Sequence, residues 1–309
     1  MNHFFNLDIL IILFYLTTVM SLGLYAARST SEGSKKYFFA DHNLTWFIVG
    51  LSLFATSITG NQILAIVGLA TTETLIPGQF GAIAALSLLI LGWLFAPDML
   101  REKISTAPEY LEKRFNKSSR IFFAAFSVIF YFFVRLSITL IAAGIILSKL
   151  LGIDPYTASQ IIVIITGIYV IIGGFSAVVY TQAVQSIFIF ISILVLVILG
   201  VSKVGDIGLI WSKLTVASNN LIQPLFYSRW AEILSFIGGL IIGLWFWCTD
   251  QFVVQKIISI KDKEQGRRST MLSAFLYIIL LVFLLLICIS AGIINPNREI
   301  YLILSKLIL

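Results

Sequence analysis

The chain has 309 residues, of which 59% are hydrophobic and only 12% charged, with a mean hydropathy of +1.00. A soluble domain carries about 25% charged residues, so the composition excludes a soluble globular protein and predicts an all-α polytopic membrane protein. The net charge of +6 then reads as a topology signal and not as a nucleic-acid surface. Cys248 and Cys288 both fall in apolar runs and match no disulfide framework or metal spacing. His3 and His42 have no partner motif, so neither metal hydrolysis nor His-based catalysis has a visible apparatus. No enzyme activity and no cofactor are expected.

Eight spans of about 20 residues or more, the length that crosses the hydrocarbon, are predicted at roughly 7–27, 46–70, 77–97, 121–148, 156–174, 181–201, 232–256 and 270–293. The first has no basic region before it and is too long for the apolar core of a signal peptide, so it reads as a retained helix. The second carries Thr56, Ser57, Thr59, Gly60, Asn61 and Gln62 in its middle. Backbone inside hydrocarbon must find internal partners. A helix opened there, facing protein or a wet cavity, would offer carbonyl oxygens to a small alkali cation, as broken transporter helices do. The alternative is a Ser/Thr-rich helix packed closely on a neighbour.

The loop from Asp98 to Arg120 contains STAPEYLEKRF. Pro108 can start a short helix, with Glu109, Glu112, Lys113 and Arg114 on a solvated face. Arg135 sits inside the fourth span, where a charge is expensive and marks a functional candidate. The alternative is a structural Arg paired with carbonyls or a carboxylate. The fifth span ends at Gly173-Gly174, a permissive turn before Tyr180-Thr181-Gln182. In the long 202–230 connection, Trp211, Phe226, Tyr227 and Trp230 point to an interfacial segment.

The seventh span holds Trp245, Phe246 and Trp247 beside Cys248, Thr249, Asp250 and Gln251. Aromatic faces next to hydrogen-bonding groups suit a sugar or another ring with polar edges, or else an interfacial belt. About a dozen residues of the span precede the aromatics, a depth that favours a site over a belt. The second and seventh spans are both interrupted and lie five apart, the spacing of inverted five-helix repeats.

Fourteen of the 21 Lys and Arg fall in the connections after spans 1, 3, 5 and 7, counting Lys256 among them. That side is cytoplasmic by the positive-inside rule. The expected location is the cell membrane, with the N-terminus extracellular or periplasmic.

The stretches LSLFATSITGNQ, STAPEYLEKRFNK, YVIIGGFSAVVYTQAVQ and LWFWCTDQFVVQKIISIKD cover most of the chain in register. They resemble the sodium:solute symporter family, in particular its sodium/sugar cotransporter branch. The resemblance implies a LeuT-type fold of two inverted repeats. Residues 1–45 would be an extra N-terminal helix and loop, 46–201 the first repeat, and 232–309 the start of the second. It also implies a sodium-coupled symporter importing a small organic solute, a sugar or polyol, by alternating access. A carboxylate, amino acid or vitamin is an alternative solute. A membrane sensor derived from a transporter is an alternative of another class, and it would need an appended signalling domain. Sodium, the solute and the lipid bilayer are the implied partners, with no nucleic acid.

By the same resemblance the carbonyls of Ala55 and Ile58 would help bind sodium, and Gln62 would contact the solute. Phe246, followed by Trp247, would stack on the solute as an inner gate. Asp250 and Tyr277 complete the candidate solute-binding residues. The departures are specific. A Glu and a Lys that hold sugar hydroxyls in the branch fall at Gly81 and Tyr277, an Asn falls at Gly243, and an Asp linked to cation passage falls at Gln182. These changes support a sodium-coupled carrier better than glucose or galactose as its cargo. Members of the family also carry further spans beyond the eighth, where this chain ends in NPNREIYLILSKLIL. The expectation is an incomplete fold, the N-terminal part of a carrier. The missing C-terminal half, with its Ser ligands for sodium, would be a partner, and the 309 residues alone would not transport.

Overall fold

A computed structural model describes residues 2–28, 37–38, 40, 44–58, 76–212 and 230–294. Among them there is no strand, only an isolated bridge between Leu44 and Ile260. The protein is all-α, as its composition requires. The helices are α1 (Asn2–Arg28), α2 (Trp46–Ser57), α3 (Ile76–Ile90), α4 (Ala96–Arg101), α5 (Ala107–Arg114) and α6 (Lys117–Ile129). They continue as α7 (Ser137–Leu151), α8 (Pro155–Val204), α9 (Trp230–Leu244), α10 (Gln251–Ile258) and α11 (Lys263–Ile294).

Three π-helical turns join neighbouring helices: Leu91–Phe95 between α3 and α4, Phe130–Leu136 between α6 and α7, and Trp245–Thr249 after α9. Such turns widen the helix and recur at functional sites. The second contains Arg135, and the third contains Phe246 and Trp247.

Ala82–Arg101, Lys117–Lys149, Pro155–Val204 and Lys263–Ile287 are long and apolar enough to cross a bilayer. Phe236–Thr249 and Gln251–Ile258, bent by 47°, make one further broken span. The helix Pro155–Val204 has 50 residues. At 1.5 Å per residue it would measure about 75 Å, more than twice the roughly 30 Å of hydrocarbon. Gly174 divides it, with φ 58 and ψ −154. A side chain there would be strained by the positive φ and would also meet Tyr37, whose ring and carbonyl lie 2.8 Å from a would-be Cβ. The Gly-Gly signal thus marks the division between the expected fifth and sixth spans.

The short helix expected at STAPEYLEKRF is α5. Thr106 caps it, its hydroxyl accepting from the Glu109 N–H at 3.3 Å, while Glu109 accepts from the Ser105 N–H at 2.7 Å. The N–H of Ala107 donates to Gln251 Oε1 at 2.8 Å, which ties α5 to the start of α10. Before α11, Asp262 accepts from the Gln265 N–H at 2.9 Å. That bond holds its carboxyl below the ordinary carboxylate range.

Helix α2 lies at the centre. Val49, Leu53 and Phe54 are fully buried against Leu88, Val253 and Tyr277 in one continuous core. At Gly50 a Cβ would lie 2.9 Å from the Ser269 carbonyl, so α2 and α11 approach more closely than a side chain would permit.

Candidate functional site

Helix α2 stops inside the stretch whose polar residues predict an opening. Ile58 is extended, with φ −93 and ψ 98, and its N–H donates to the Ala55 carbonyl at 3.3 Å. The last carbonyls of a helix have no donor within it, and at Ile58 the backbone has left the helical conformation. This is the backbone geometry that lets a helix end offer oxygen to a cation. Gln62, with Thr59, Gly60 and Asn61, lies outside the described residues.

The second break is at Asp250, also extended, with φ −62 and ψ 127. Its carboxylate has two tasks. One oxygen accepts from the Phe252 N–H at 2.8 Å and caps α10. The other forms an ion pair with Arg135 Nη1. Asp250 is 3% exposed, and the guanidinium lies 5.0 Å from the centre of the Phe246 ring, 5.0 Å from Phe252 and 5.8 Å from Tyr131. The Tyr131 hydroxyl accepts from the Gln251 N–H at 3.2 Å. Arg135 is thus compensated by charge and by aromatic faces together. Of the two readings of Arg135, the structure shows the paired one, and the pair sits directly at the helix break.

Phe246 and Trp247 divide their work. Phe246 faces the guanidinium. Trp247 is 4% exposed and meets Tyr277 edge to face at 5.4 Å, while Tyr277 meets Phe54 at 5.9 Å. A buried Trp247 does not belong to an interfacial belt. Tyr277, 2% exposed, stands between α2 and the span broken at Asp250. The described candidates therefore gather around the two breaks, in two groups: Phe246 with Asp250, and Trp247 with Tyr277.

One sequence reading is corrected. Lys256 is not a loop charge on a membrane face. It is 2% exposed, on the side of α10 that carries Val253 and Ile257 into the core. Its ammonium donates to the Ser52 carbonyl at 2.8 Å, to Gln182 Oε1 at 2.5 Å and to the Thr56 hydroxyl. Gln182 Oε1 also accepts from Ser52 Oγ at 2.9 Å and Thr56 Oγ1 at 3.3 Å. The local signal was Lys256 at i+3 from Val253, within VVQKII. A cavity of about 530 Å³, lined by Tyr15, Val19, Thr139, Ile146, Tyr169 and Gln185 among others, contains none of the candidate residues.

An all-α membrane fold with one span broken at Asp250, a second helix that stops at Ile58, and the charged groups Asp250 and Lys256 buried beside them is compatible with transporters built on broken helices. The model of the sodium:solute symporter family matches residues 37–300. The chain belongs to that family. It is 30% identical over 295 residues to the sodium/glucose cotransporter 1 of Oryctolagus cuniculus, covering 87% of this chain and 44% of that protein. It is 29% identical over 300 residues to the sodium/myo-inositol cotransporter of Homo sapiens, covering 87% of this chain and 41% of that protein. Among solved structures it resembles a Na+-coupled sialic acid symporter in a substrate-bound, outward-open state. The TM-score is 0.83 at 23% identity, over 94% of this chain and 62% of that one. The chain thus spans less than half the length of the curated relatives it matches.

Proposed function

We propose that the protein is a sodium-coupled symporter that imports a neutral polyhydroxylated solute, a sugar or polyol, by alternating access in the cell membrane. The observation that carries this reading is the end of α2 at Ile58 together with the break at Asp250, in a chain of this family. The carbonyls of Ala55 and Ile58 would hold sodium. Gln62, Phe246, Trp247, Asp250 and Tyr277 would line the solute site, with Phe246 as the stacking gate. Residues 46–201 would form the first repeat and 232–309 the start of the second, with the N-terminus outside. Two features favour a neutral solute. Arg135 and Asp250 neutralise each other at the break. Two of the relatives are, by name, cotransporters of glucose and myo-inositol, both neutral and polyhydroxylated. The sialic acid symporter, whose cargo is a carboxylate, shares the fold at lower identity.

Sodium would assist solute binding by stabilising the outward-open state, which requires that the ion bind that state better than the inward-open one. The test is uptake of labelled hexoses, inositols and organic acids into proteoliposomes containing the protein as its gene encodes it. We expect accumulation driven by a sodium gradient, with Gln62→Ala weakening solute affinity more than sodium affinity. Uptake indifferent to the sodium gradient would overturn the coupling. A larger loss of sodium affinity in Gln62→Ala would overturn the site assignment.

A further inference from the structure

The aliphatic stem of Lys256 runs through the core, and its ammonium ends against three oxygens from two other helices. Ser52 and Thr56 lie on α2, the second next to its end at Ser57 and the first one turn earlier, and Gln182 lies on α8 after the Gly174 division. An ammonium has three N–H groups, and here each has one acceptor. All three acceptors are neutral. Among the described residues no carboxylate lies within ion-pair distance of Lys256. Asp250 and Arg135, at the neighbouring break, are paired with each other.

A buried positive charge held only by neutral oxygens is the arrangement found around a desolvated monovalent cation, where carbonyl and hydroxyl dipoles replace water. The oxygens are also linked to one another. Ser52 Oγ and Thr56 Oγ1 both reach Gln182 Oε1, and Thr56 Oγ1 lies 2.8 Å from the Ser52 carbonyl.

We propose that Ser52, Thr56 and Gln182 form a monovalent-cation site whose resident cation is the tethered ammonium of Lys256. The cation joins α2, α8 and α10 at one point. It also keeps a free ion out, because two like charges so close in a poorly screened site repel strongly. Removing the ammonium leaves the oxygens able to accept a small free cation. The inference does not depend on transport, because the site is read through stability.

The experiment is chemical rescue. Lys256→Ala, in the protein as its gene encodes it, is purified in detergent. Its thermal midpoint is measured in ammonium, methylammonium, sodium, potassium and choline chlorides at equal ionic strength, beside the wild type. We expect the variant to lose on the order of 5 °C. Ammonium or methylammonium should restore at least half of the loss, choline none, and the wild type should show no such recovery with either. Adding Gln182→Leu to Lys256→Ala should abolish the rescue. A variant that responds identically to all five chlorides, or as well to choline, overturns the proposal. If Lys256→Ala does not fold, Gln182→Glu in the wild type decides. A carboxylate placed beside a real ammonium raises the midpoint, and a lowered midpoint overturns the assignment of a cation there.

Discussion

Among the described residues, Arg135 and Lys256 are cations held within the spans by different means. Arg135 meets a carboxylate and three aromatic faces, and its side chain keeps 22% exposure. Lys256 meets three neutral oxygens and is sealed from solvent. The difference follows from the chemistry of the two groups. A planar guanidinium spreads its charge and stacks on rings, so it tolerates a site built from Phe246 and Phe252 with one carboxylate. A compact ammonium is a point charge that needs its three donors satisfied. The two sites also brace different joints. The arginine locks the break at Asp250 to the π-helical turn of the fourth span, while the lysine ties the last two turns of α2 to α8 and α10.

The largest effect is expected from taking away the carboxylate. Asp250→Ala leaves Arg135 without its counter-charge and uncaps α10, at a cost of about 3 kcal/mol, the low end for a broken buried pair because the arginine is partly exposed. Asp250→Asn keeps the cap and drops only the charge, so it should cost less. The double variant Asp250→Asn with Arg135→Met should recover most of the loss. Thermal unfolding of the four proteins in detergent checks the order, and an Asp250→Ala protein as stable as wild type would contradict the pairing.

A smaller effect separates the lysine. Gln182→Leu deletes one acceptor of a charge-assisted hydrogen bond, worth about 2 kcal/mol, and leaves the pair at Asp250 intact. Combined with Asp250→Ala the losses should add, since the two cations share no hydrogen-bond partner. Strong non-additivity in a double-mutant cycle would show one network and not two.

The smallest effect belongs to the aromatic faces. Phe252→Leu keeps apolar volume but removes one ring from the guanidinium, for about 0.5–1 kcal/mol. Phe252→Tyr should be neutral in the same assay. If Leu and Tyr behave alike, the ring contributes packing and not a cation–π contact.

Much of this arrangement is written in short stretches of the chain. Composition fixes an all-α membrane protein, because no soluble surface could be made from 12% charged residues. Gly173-Gly174 marks the division of a 50-residue helix, since Gly174 adopts a backbone conformation that side chains disfavour. STAPEYLEKRF carries its own cap in Thr106 and Glu109. The polar run that begins at Thr56 flags the end of α2, and the polar residues Thr249, Asp250 and Gln251 inside an apolar span fall at the second break. These are local properties, set by backbone torsions and by neighbours a few residues away. The partners of the buried charges are not local. Arg135 and Asp250 stand 115 positions apart, and Lys256 and Ser52 stand 204 apart. A lysine six residues after the aspartate break looks like the basic end of a span when read alone, and only the approach of α2 and α8 turns it inward. Sequence determined where the helices stop. Tertiary packing decided which oxygen each buried cation meets, because a desolvated charge is tolerated only where other helices bring acceptors to it.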